Sequence, residues 1–298
     1  MSDLFSAKTD LLWAALVSAV VSAAVSYFFR KREARHRLEV EYEYEQRKKL
    51  RDLIGRYHGR LLHAANSLNY RFWNLYTNSE AGWLDVAGRY NEAGYYFVSF
   101  VHRFLAVCTL TRQFESEAIY VDARIAQQGD FTFLNYLAAL RWAITDVALF
   151  QGVSYDTSHQ RDHFFADTFR QYCDACIDNG QFITYEAFGD RIKTDRSLDP
   201  LLRFFDSLRP SEERLRWDRL LVFHLLLMAF INSFGYETQY TSESKFEAVA
   251  KQVRHATILE NLIAWLPRHG LGKDREARHL VRAWNTVKKQ LPSPKGAA

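Results

Sequence analysis

The sequence predicts an all-α protein in which a single N-terminal transmembrane helix runs on into a multi-helix cytoplasmic domain. Three observations carry this expectation. Five prolines in 298 residues leave long stretches free of the residue that removes a backbone donor and clashes with the preceding helical turn. Residues 11–29 carry no charge. Beyond them, apolar residues recur at helical rather than strand spacing.

Residues 11–29 read LLWAALVSAVVSAAVSYFF. At about 1.5 Å per residue this helix matches a hydrocarbon core of roughly 30 Å. Trp13 and Tyr27 stand near its two ends, where interfacial aromatics belong. A cleaved signal peptide would carry its positive charge before the apolar run. Here the cluster Arg30, Lys31, Arg32, Arg35 and Arg37 follows it, next to lipid headgroups. The positive-inside rule then puts residues 1–10 outside as a short tail and everything after Arg30 in the cytoplasm, at the inner membrane of a bacterial-type cell. Ala15, Ala19 and Ala23, with Ser18, Ser22 and Ser26 alongside, form a ridge of small residues. In lipid such ridges let helix backbones approach closely, which predicts a homo-oligomer and leaves open whether the assembly forms a pore.

Residues 30–77 are expected to continue the membrane helix without a break. Glu43 precedes Arg47 and Glu45 precedes Lys49 in the favourable i,i+4 order. Leu50, Ile54, Tyr57, Leu61, Ala64 and Leu68 then follow a 4-3-4-3-4 pattern, the seam of either a coiled coil or a core-facing helix. Residues 78–291 should form the helical domain. Its helices are expected at Trp83–Ile119 with Gly94 as a candidate break, Phe133–Phe150, Thr157–Ile177, Ser211–Tyr236, from Ser242 or Ser244 to Pro267, and from Asp274 to before Pro292, with a turn at Asp178-Asn179-Gly180. The tail 292–298 reads as disordered. Leu220–Phe234 is apolar enough to be weighed as a second span, but it is short and contains His224 and Asn232, so a core helix is expected. The helix around Trp284 pairs an apolar stripe with a basic face and suits either a membrane surface or a docked position.

The +4 net charge comes from interleaved acids and bases, so no nucleic-acid partner is expected. Cys108, Cys173 and Cys176 make an odd, sparse set and read as reduced thiols.

The most site-like constellation is His159, His163 and Asp167, spaced i, i+4, i+8 on one face of the expected Thr157–Ile177 helix. A zinc site joining these histidines to Cys173 and Cys176 fails on length, because His163 and Cys173 would lie about 15 Å apart along a continuous helix. A calcium loop centred on Gly180 fails because Ala175 and Ile177 would occupy ligand positions. Arg-then-His pairs at Arg30/His36, Arg51/His58, Arg56/His63 and Arg219/His224 occur as often as chance supplies. No phosphate loop, nucleophile elbow or HExxH is present, and neither cofactor nor metal is expected.

The function expected is that of a membrane-anchored, self-associating sensor, scaffold or effector working through a protein partner, such as a bacterial stress or phage-defence effector. The alternative is a membrane-tethered, metal-dependent hydrolase or nuclease using the His159–His163–Asp167 face.

Overall fold

A computed structural model describes residues 2–290, including all side chains except those of residues 2–12, 14, 15 and 123. The segment expected to be disordered, 292–298, lies outside the described residues. The rest is all-α apart from one two-residue hairpin.

Helix α1 spans Ser2–Thr77 without interruption, about 114 Å at the usual rise. From Leu16 to Glu45 every residue on it is exposed, and the first buried one is Leu50. Leu50, Tyr57, Leu61, Ala64 and Leu68 are all buried, with Ile54 packed against them. They face α2 (Tyr95–Ala118) and α7 (Arg216–Phe234) of the same chain. The heptad-like seam is therefore a core stripe, and its occupation rules it out as a coiled-coil surface.

Helix α7 is the centre of the body. Every residue from Arg216 to Ile231 is buried, against α1, α3 (Gln128–Thr145), α8 (Glu243–Ala250), α9 (Ala256–Arg268) and α10 (Ala277–Gln290). By length and apolarity alone it could cross a membrane, but 83% of the qualifying window is buried. The expected core role of Leu220–Phe234 is what the packing displays. A second group of elements packs on α2: α4 (Ala166–Ala175), α5 (Tyr185–Thr194) and α6 (Asp199–Phe205). Phe72, Phe100, Phe205, Phe104 and Phe223 join the two groups, with successive ring centroids 5.0–5.6 Å apart. Burying each such ring is worth about 1.5–3 kcal/mol.

Several boundaries differ from those expected. Residues 79–94 are loop with two 3-10 turns, so the helix anticipated from Trp83 starts at Tyr95. The Phe133–Phe150 helix begins earlier, at Gln128, and ends at Thr145 in a 3-10 turn over Val147–Phe150. The helix anticipated over Thr157–Ile177 is reduced to α4. The one anticipated from Ser242 to Pro267 is two helices, α8 and α9. Helices α5 and α6 arise between Gly180 and Ser211, where no helix is expected from the sequence. Asp178-Asn179-Gly180 does turn: Asn179 and Gly180 take φ of 48° and 74°, joining β1 (Ile177–Asp178) to antiparallel β2 (Gln181–Phe182). Asp274 does start the last helix, its carboxylate accepting from the N–H groups of Glu276 and Ala277.

Candidate functional site

The His159–His163–Asp167 face does not form, because residues 151–165 are not helical and α4 begins only at Ala166. Local chemistry explains the loop. Asp156 turns its carboxylate onto the N–H and hydroxyl of Ser158, the side-chain competition that disfavours helix at Asp, Ser and Thr. His159 is exposed and pairs with Asp156 at 3.0 Å. Asp167 is exposed on α4 and pairs with Arg170 at 2.7 Å. His163 is buried elsewhere, with Nδ1 accepting from the Tyr155 hydroxyl at 2.5 Å. That hydroxyl in turn accepts from the N–H of Asp162. Burial and the nearby Arg219 guanidinium push the His163 imidazole down to about 4, so it is neutral at physiological pH. The three residues thus serve separate local contacts.

Cys173 and Cys176 are buried free thiols, each pushed up to about 12 by burial. Among the described residues no three His, Cys, Asp or Glu side chains converge on a point where a metal could sit.

The loop 151–165 borders a cleft of about 970 Å³, whose far wall includes Arg214 and His255. Two buried carboxylates anchor that wall. Asp162 accepts from Arg214 Nε at 2.8 Å and from the N–H of Leu215 just ahead of α7. Asp218, on the first turn of α7, accepts from the N–H groups of Arg254 and His255 and from His255 Nδ1 at 2.6 Å. An Asp-held imidazole is the arrangement of a general base. Ser154 and Thr257, two hydroxyls in the lining, make no hydrogen bond to His255. The contacts of Asp218 instead join the start of α9 to α7. The pairing went unseen in the sequence, since Asp218 and His255 lie 37 residues apart and belong to no spacing motif.

The Arg219/His224 pair is equally structural. Arg219 is fully buried, donates to the carbonyls of Ala143 and Asp146 at the end of α3, and lies 4.2 Å over the Phe150 ring. His224 stacks on Phe72 and bridges Asn69 and Tyr76.

The anticipated anchor and oligomerisation residues lie on α1. The side chains of residues 16–37, including Ser18, Ala19, Ser22, Ala23, Ser26 and the basic cluster Arg30–Arg37, are all exposed; the side chain of Ala15 is outside the described set. Trp13, Leu16, Val17, Val20, Val21, Val25, Tyr27, Phe28 and Phe29 are all exposed. No known protein family, curated protein or solved structure matches this chain.

Proposed function

We propose that this protein is anchored in a membrane by residues 11–29 of α1, assembles through that helix, and acts by interaction as a sensor, scaffold or effector at the cytoplasmic face. One observation carries the reading: an uncharged, mostly apolar run, Leu16 to Phe29, that is exposed on all sides of one helix. An apolar surface of that extent calls for lipid or protein cover. The cluster Arg30–Arg37 directly after it favours lipid, with anionic headgroups beside the basic turn. The rise of α1 from Phe29 to Leu50 is about 32 Å, so the helical body would stand off the bilayer on a stalk.

Orientation is testable with single cysteines, because native Cys108, Cys173 and Cys176 are buried. In intact cells Ser2→Cys is expected to react with a membrane-impermeant thiol reagent and Gly296→Cys only after lysis. Release of the protein by alkaline carbonate would remove the anchor, and the reverse labelling pattern would reverse the orientation.

A further inference from the structure

Between α1, α2 and the hairpin–α5 segment lies a cleft of about 710 Å³, within the size range of small-ligand sites. Its principal side chains are Arg60 and His63 from α1, Tyr95, His102 and Arg103 from α2, and Tyr185 from α5. No carboxylate lines it, although acids and bases alternate over most of the chain. Arg56 on α1, Arg112 on α2 and Arg141 on α3 each meet a Glu or Asp. Among the described residues Arg60, Arg71 and Arg103 meet none.

The missing counter-charge matters most where water is excluded. Arg71 is only 8% exposed and rests on the faces of Tyr95 and Tyr96, 5.5 and 4.6 Å from their centroids. Arg103 donates one bond to the Ser67 carbonyl at 3.2 Å. Burial and the like charge of Arg71 hold its guanidinium below the usual value. A partly desolvated Arg103 that faces the opening beside Arg71, with no carboxylate in the lining, is an unfavourable arrangement that a bound anion would relieve.

The other wall is aromatic. Tyr95 and Tyr185 remain 63% and 37% exposed, their centroids 5.7 Å apart. His102 packs on Phe182 and gives its Nε2 hydrogen to the Ile183 carbonyl, which leaves Nδ1 as an acceptor among donors. Gly59 forms part of the lining. A Cβ there would meet nothing within 4 Å, so packing within the chain does not explain a helix-interior glycine that costs about 1 kcal/mol relative to alanine. Without a side chain it leaves bare backbone in the wall of the cleft.

We propose that this cleft binds a mononucleotide, with the phosphates held by Arg60 and Arg103 and the base stacked on Tyr95 and Tyr185. Lipid phosphate is disfavoured as the occupant, because Arg60 lies about 46 Å along α1 beyond Phe29. The proposal stands without the membrane reading.

The test is calorimetric titration of the full-length protein in detergent with ADP, GDP and UDP, and separately with adenosine and inorganic phosphate. At least one nucleotide is expected to bind at micromolar level, with adenosine and phosphate each weaker by about tenfold or more. Arg60→Glu, an exposed change, and Tyr185→Ala should each weaken the nucleotide by about tenfold or more. Gly59→Ala should raise the melting temperature yet weaken binding, while Gly55→Ala, whose added Cβ also meets open space, should raise the melting temperature and leave binding intact. Absence of binding across the nucleotide set by folded protein overturns the proposal. So does affinity unchanged in Arg60→Glu, phosphate binding as tightly as nucleotide, or capture of longer oligonucleotides alone.

Discussion

His224 sits in the middle of the most apolar helix and is completely buried, yet each ring nitrogen has a partner. Asn69 Oδ1 lies 2.7 Å from Nε2 and the Tyr76 hydroxyl 2.8 Å from Nδ1. Burial pushes its imidazole down to about 3, against an ordinary 6.5, and His102 is also lowered by burial. An unfolded chain therefore takes up protons at His224, His163 and His102 that the folded chain refuses. The stability these neutral rings contribute is complete above pH 6.5 and is lost as the pH falls toward the folded values. His224→Gln removes one of the protonation sites and disturbs its two hydrogen bonds. It is expected to cost about 1–3 kcal/mol at neutral pH and to lessen the loss of stability on acidification. Urea unfolding of both proteins at pH 7.5 and about pH 5 checks this; parallel acid losses would mean that His224 is not one of the groups responsible.

At the scale of elements, the recurring device is a carboxylate from one segment gripping backbone N–H groups of another. Asp206, after α6, accepts from Val86, Ala87 and Gly88. Asp218 holds Arg254 and His255, and Asp162 holds Leu215. Charge-assisted bonds of this kind exceed neutral ones in strength, and each is made where a regular helix would otherwise continue or begin. Asp162→Ala deletes the link between the 151–165 loop and the start of α7, at a cost of about 1–3 kcal/mol. Tryptic cleavage after the exposed Arg161 should then rise well ahead of global unfolding. An unchanged cleavage rate would show that the remaining contacts, Tyr155 with His163 and the Phe164 N–H with the Ile144 carbonyl among them, suffice to hold the loop.

At the scale of the whole molecule, α1 does two jobs along one axis: its C-terminal third lies in the core, while Leu16–Glu45 carries no buried residue. Because the Leu50–Leu68 stripe is already covered by α2 and α7, contacts between copies would fall on the exposed part, where Ala19 and Ala23 provide the small-residue ridge. Replacing both with Ile keeps the segment apolar but blocks close backbone approach. Oligomers are then expected to dissociate while the protein stays in the membrane fraction. Cross-linking and sizing in detergent decide it: an unchanged oligomer takes the ridge out of the interface, and a monomeric parent protein removes the assembly altogether.

Local pattern determined a good deal of this protein. Scarce proline and 3.6-residue periodicity mark it as helical, Asn78 lies just beyond the end of α1, Asn179-Gly180 makes the turn, and Asp274 caps α10. The apolar run 220–234 reads as core because His224 and Asn232 would be costly in lipid. What the pattern missed has one physical cause. Trp83–Gly94, Thr157–Phe165 and Lys251–His255 fall inside helices expected from periodicity, and in the first and last Asp206 and Asp218, distant in the chain, take the backbone N–H groups. The middle one combines the local turn at Asp156 with the remote hold of Asp162 on α7. The same holds for the sites. His159, His163 and Asp167 look like a set because they are neighbours in sequence, whereas Asp218 with His255, and Arg60 and Arg71 with Arg103, become neighbours only when separate helices pack. The tertiary structure decides those groupings because hydrogen-bond partners and like charges act over a few ångströms of space, and spacing along the chain measures that distance only within a single helix.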